Sequence, residues 1–176
     1  MEQLLGLELA DVLKVLALAA SPISELRGAI PLAVLEFDFP WYHAFIISVI
    51  GNMLPVPFIL LFLNTITRIL SRIGAFDRFF KWLFAYTRRR GTMIEKYERI
   101  GLTLFVAIPL PITGAWTGSI AAVLLGMSFK RSLVSIFLGV LIAGVIVTCL
   151  TLLGWVGAVI AGIVLCVLAV LGLWRI

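Results

Sequence analysis

The sequence predicts an all-α integral membrane fold: an inverted repeat of a re-entrant hairpin plus a transmembrane helix, with an additional C-terminal transmembrane helix and a cytoplasmic amphipathic linker. Three observations predict it. The 176 residues are 62% hydrophobic and 13% charged, whereas a soluble domain carries about a quarter charged residues. Charges are missing from 39–67 (His43 aside), from 100–129 and from 132–174, and roughly 20 apolar residues suffice for one helical span. A motif broken by proline and glycine also occurs twice, with Gly28/Gly118, Ile30/Ile120, Leu35/Leu125 and Phe39/Phe129 all at an offset of 90.

The whole chain, 1–176, reads as a single membrane domain. Residues 1–38 form the first unit, which is acidic at both ends: Glu2, Glu8 and Asp11 open it, and Glu36 and Asp38 close it. Its break runs Pro22-Ile23-Ser24-Glu25-Leu26-Arg27-Gly28-Ala29-Ile30. Two ends of like character imply that the chain dips into the bilayer and returns, and the scarcity of cations places both ends outside. Lys14 is expected to snorkel outward or pair with Asp11. Residues 39–65 then supply a transmembrane helix, with Trp41, Tyr42 and His43 as an interfacial anchor.

Residues 66–100 hold nine basic groups against Asp77, Glu95 and Glu98, and are expected to stay cytoplasmic by the positive-inside rule. Phe76, Phe79, Phe80, Trp82, Phe84 and Tyr86 alternate with the cations, as in a helix lying among anionic headgroups. Beside three apolar spans this basic stretch argues for membrane lipid as its partner and against nucleic acid.

Residues 101–129 form the second unit. Pro109, Pro111, Gly114 and Gly118 divide it into two arms of about ten residues, each spanning about 15 Å as helix, half the hydrocarbon thickness. Arg99 precedes it and Lys130-Arg131 follow it, so both ends are expected inside. One crossing between two hairpins of opposite sidedness makes the repeat inverted. Residues 132–153 and 155–174 supply the last two transmembrane helices, joined by a turn at Gly154-Trp155-Val156-Gly157. The chain is thus expected in the plasma or inner membrane, its N-terminus outside and its linker and C-terminus cytoplasmic. Gly139, Gly144, Gly154, Gly157, Gly162 and Gly172 permit close helix packing within or between chains, and a homodimer is a reasonable assembly. Cys149 and Cys166 fit no metal spacing and are expected to pack as small apolar residues.

Non-helical backbone at membrane depth is tolerated only where it is buried or lines a watery cavity. The candidate substrate- and proton-binding residues therefore gather at the two breaks. Glu25 and Arg27 come first, since a charge near the bilayer centre costs about 2.5–3.5 kcal/mol even on insertion scales. Arg27 offers a planar fork suited to phosphate or carboxylate. Glu25, if desolvated, is placed to take up and release a proton, making H+ the expected coupling ion; the alternative is a structural pair whose charges neutralise one another or bond carbonyls exposed at the break. Ser24 and Gly28 flank them, and helix N-termini at Gly28 and Gly118 add partial positive charge. The second break offers Thr113, Trp116, Thr117 and Gly118, none ionisable. Asn52, ahead of Pro55 and Pro57, either caps a proline kink or meets ligand. The sequence holds no metal-ligand cluster, no cofactor motif and no catalytic constellation, so no enzyme is expected.

The run Glu25-Leu-Arg-Gly-Ala-Ile-Pro31 resembles the signature of the small multi-drug export protein family, and Ala107-Ile-Pro-Leu-Pro-Ile-Thr-Gly-Ala-Trp-Thr-Gly118 resembles its second motif. The architecture also resembles the wider DedA/VTT superfamily, whose members carry two opposed re-entrant hairpins. That resemblance implies proton-linked translocation of a polyprenyl-phosphate lipid, or lipid scrambling, with Glu25 and Arg27 matching the acid and arginine of the first hairpin. This chain departs from the pattern at the second hairpin, where Gly114, Ala115 and Trp116 stand in the region of the usual arginine. The expected function is a proton-linked secondary carrier for an amphiphilic anion. A multidrug or lipophilic-cation exporter, and a membrane assembly factor that does not transport, are the alternatives.

Overall fold

The computed structural model describes residues 8–70, 91–109 and 113–173, with 64–70, 91–97, 161, 165–166 and 168–173 as backbone only. The aromatic and basic alternation of the expected linker lies outside the described residues. Among the described residues every regular element is helical: α1 (Leu9–Ala20), α2 (Glu25–Leu35), α3 (Trp41–Met53), α4 (Pro55–Leu70), α5 (Gly91–Ala107), α6 (Ala115–Leu124), α7 (Phe129–Leu152) and α8 (Trp155–Leu173). Two stretches among them are long and apolar enough to cross a bilayer, Trp41–Leu63 and Phe129–Leu152. The described residues form two compact units, one within 1–51 and 144–176 and the other within 52–143.

In the first unit α1 and α2 pack as an antiparallel helical hairpin. Its seam is made of small side chains, Val15 and Ala19 of α1 against Ala29 and Ala33 of α2, continued by Phe39 and Ala44. Small residues let helix backbones approach closely where lipid supplies no hydrophobic drive. At the open end Lys14 pairs with Asp11 at 2.7 Å, and its Nζ lies 5.3 Å from the Phe37 ring centroid. The expected pairing with Asp11 is what the structure has. Gly51 brings α3 onto α1, since a methyl there would sit 2.7 Å from the Leu16 carbonyl oxygen and 2.8 Å from Ala19 Cβ. Gly144 likewise receives the Phe45 ring.

In the second unit α6 packs against both α4 and α5. Val106 of α5 is the wedge. A methyl at Gly118 would sit 2.5 Å from Val106 Cγ2, and one at Gly139 would sit 2.6 Å from Val106 Cβ. One buried valine thus occupies notches on α6 and α7 together. Thr103 Oγ1 adds a hydrogen bond to the Ser135 carbonyl at 3.1 Å, tying α5 to α7.

The helix ends follow from local chemistry. Gly126 adopts φ 70, and the Gly126 and Met127 amides donate to the Val123 and Ala122 carbonyls at 2.9 and 3.0 Å. That is the Schellman closure for which glycine carries no steric penalty. The turn between α7 and α8 is confined to Leu153 and Gly154, whose φ is 60, and α8 begins at Trp155. The helix starts at Glu25 and Ala115 keep the offset of the sequence repeat (115 − 25 = 90). Each is preceded by a break and a helix, and followed by a turn and a further helix, of 13 residues in α3 and 24 in α7. Cys149 is free and exposed on α7 rather than packed inside; the Cys166 side chain lies outside the described residues.

Candidate functional site

The break between α1 and α2 is held by short polar contacts. Ser21 Oγ donates to the Leu18 carbonyl at 2.8 Å and accepts from the Ser24 amide at 3.3 Å. The Glu25 amide donates to Ser21 O, and the Gly28 amide to Ser24 O. Ser24 is the N-cap residue and makes no side-chain cap. Gly28 leaves room for Ser24, whose Cβ would lie 3.0 Å from a methyl at Gly28. Pro22 and Ile23 form the tip, and Ile23 is 94% exposed.

Glu25 has φ 50, the left-handed region that costs a non-glycine residue about 1–3 kcal/mol. Residues at i and i+2 of a regular helix do not face each other. The left-handed first residue takes Glu25 off the helical track, and its Oε2 lies 3.6 Å from Arg27 Nη2. The Glu25 side chain is 8% exposed and that of Arg27 21%. Leu26, Ala29 and Ile30 bury the rest of the turn. Pro31 continues the helix but has no N–H to offer the Arg27 carbonyl four residues back. Backbone strain, buried charge and an interrupted hydrogen-bond ladder thus coincide within one turn.

At the second break the predicted hydroxyls serve the backbone. Thr113 Oγ1 donates to the Ile108 carbonyl at 2.6 Å. Thr117 Oγ1 accepts from the Gly114 amide at 3.1 Å, closing the start of α6. Ser119 Oγ donates to the Ala115 carbonyl at 2.6 Å, as hydroxyls in apolar helices commonly do. Trp116 is half-buried, and Gly118 is buried against Val106. Both helix starts lie three residues earlier than expected, at Glu25 and Ala115 rather than at the glycines.

Asn52 is 1% exposed, and neither its Nδ2 nor its Oδ1 has a hydrogen-bond partner. The amide does not cap the proline kink, which falls at Leu54 between α3 and α4. Ser48, one turn earlier on α3, is equally buried and unpartnered. Trp41 and Tyr42 are exposed and meet edge to face at 5.7 Å, while His43 lies against Tyr42 at 4.4 Å. Among the described residues no group of three or more metal-ligating side chains occurs.

Sequence reasoning missed one feature. A groove of about 430 Å³ runs between α5 and α7, with Arg99, Lys130 and Arg131 at its mouth and Leu104, Val134 and Leu138 along its wall. The three cations were visible in the sequence as flanks of the second unit, but their convergence needs the packing of two helices.

A family model described as Putative small multi-drug export protein matches residues 25–146. The match begins at the strained glutamate, just past the first break, and takes in the second break and most of α7. No curated protein and no solved structure matches the chain.

Proposed function

The chain belongs to the small multi-drug export protein family, and from that membership we propose a secondary carrier that moves an amphiphilic anion, such as a polyprenyl-phosphate lipid, in step with a proton. The buried Glu25–Arg27 pair carries this reading. A charge pair under apolar side chains at a helix start is expensive to keep. Its geometry suits an exchange of partners. While Glu25 is ionised it holds Arg27. Protonation of Glu25 releases the guanidinium, whose fork then accepts a phosphate in bidentate fashion. Proton and anion binding are thereby linked, each favouring the other by the same factor. The start of α2 adds partial positive charge at the same place.

In this reading α1–α2 and α5–α6 are re-entrant hairpins of an inverted repeat, set in a plasma or inner membrane. The N-terminus lies outside, the basic linker and C-terminus inside. The exposed Pro22-Ile23 tip supports the first hairpin, because an apolar tip is better solvated by lipid tails than by water. A homodimer and surrounding lipids are its partners, and no chemical conversion of the cargo is involved.

The family's description favours a second cargo class, small drugs, with Glu25 exchanging a lipophilic cation for protons. Arg27 already neutralises that carboxylate, which weakens the case. Proteoliposomes under a pH gradient separate the two. Arg27→Ala is expected to abolish flux of a labelled lipid phosphate, and Glu25→Gln to abolish its dependence on pH. Cation efflux that survives or rises in Arg27→Ala, with no lipid-phosphate flux in the wild type, overturns the anion reading.

A further inference from the structure

We propose that the groove between α5 and α7 is a binding site for an anionic phospholipid of the surrounding bilayer, separate from the Glu25–Arg27 pair. The groove is amphipathic along its length. Arg99 on α5 and Lys130 and Arg131 on α7 form its mouth, and the described residues that line it include no carboxylate. Leu104 of α5, with Val134 and Leu138 one turn apart on α7, makes an aliphatic wall. From Arg131 to Leu138 the helix rises about 10 Å, enough to carry a headgroup at one end and the start of an acyl chain at the other. The Thr103–Ser135 hydrogen bond of 3.1 Å holds the two helices at a fixed spacing beneath the cations.

Charge placement argues for an anion rather than for chance. Lys130 and Arg131 occupy the first turn of α7, where the helix macrodipole is positive and disfavours a cation by about 0.3–1 kcal/mol. Arg99 is brought to the same place from another helix. A bound phosphodiester reverses the dipole cost, and cationic pockets between membrane helices are the expected form of such sites. The apolar wall selects a lipid over free phosphate, since inorganic phosphate gains nothing from Leu104 or Val134. This inference goes beyond the proposed transport and holds whatever the cargo is.

The test is lipid retention. The full-length protein, reconstituted in mixed phosphatidylcholine and phosphatidylglycerol and then extracted in mild detergent, is weighed by native mass spectrometry. The wild type is expected to keep phosphatidylglycerol in preference to phosphatidylcholine. Retention should fall at least fivefold in the triple variant Arg99→Gln/Lys130→Gln/Arg131→Gln. It should fall comparably in Leu104→Trp, which fills the wall and leaves every cation in place. Lys14→Gln, which changes a cation elsewhere, should retain lipid as the wild type does, and melting temperature confirms that each variant is folded. Equal retention of both lipids by the wild type overturns the proposal, as does undiminished retention in Leu104→Trp. Glu25→Gln should retain lipid normally, so loss of transport and loss of this site read out separately.

Discussion

Glu25 Oε2 lies 3.6 Å from Arg27 Nη2 although a single residue separates them at the start of a helix, a pairing that regular helical geometry forbids. The left-handed φ of 50 at Glu25 makes it possible. The backbone is strained in order to bring two charges together beneath an apolar surface.

That arrangement predicts a non-additive mutant cycle. Glu25→Gly relieves strain of about 1–3 kcal/mol but leaves Arg27 buried without its carboxylate, which costs about 3 kcal/mol or more. A lowered melting temperature is expected. Arg27→Met added to Glu25→Gly should restore it to the wild-type value or above. Additive destabilisation in the double variant would mean that the pair contributes nothing through its mutual contact.

Gly118 and Val106 predict a rescue. Alanine for glycine in a helix interior ordinarily gains about 1 kcal/mol. Here the new methyl would stand 2.5 Å from Val106 Cγ2, and Val106 is pinned from the other side by Gly139. Gly118→Ala should therefore destabilise by about 1–3 kcal/mol, the range for overpacking. Val106→Ala in the same chain should recover most of the loss, read as melting temperature in detergent.

Gly51 predicts a loss without such a rescue. The nearest atom to a methyl there is the Leu16 carbonyl oxygen, at 2.7 Å, and backbone cannot turn aside as a side chain can. Gly51→Ala should lower the melting temperature. Ala19→Gly, which clears the neighbouring Cβ, should not restore it.

Asn52 predicts the opposite sign. An unsatisfied buried amide costs about 1–3 kcal/mol, and both polar atoms of Asn52 are unpartnered. Asn52→Leu, close in volume, should raise the melting temperature. A fall would show that the amide has a bound partner in the membrane, and would return it to the set of ligand-contacting residues.

The sequence made the helical class legible because charge-free runs and breakers leave few alternatives in a bilayer. It also made the first break legible, since Glu25 and Arg27 stand out in an apolar segment. Helix starts at Glu25 and Ala115 agree with the repeat read from the motif. What the sequence could not carry was tertiary or conformational. A positive φ at glutamate has no sequence signal, because glycine and asparagine are the residues that normally announce one. Arg99 and Arg131 are far apart in the chain, and only packing makes them neighbours across a groove. The hydroxyls of Thr113 and Thr117 looked available on composition, yet the local backbone takes them up. Asn52 looked like a cap for the proline kink, and its amide is unpartnered instead.

Val106, seated in two glycine notches at once, works as a detent. Sliding α5 one turn along its neighbours would drive the longer Leu102 toward slots sized for a valine, or leave them without an occupant. Axial slippage is therefore blocked in both directions. A rearrangement of α5 that keeps these glycine contacts shut carries α6 and the Gly139 stretch of α7 with it.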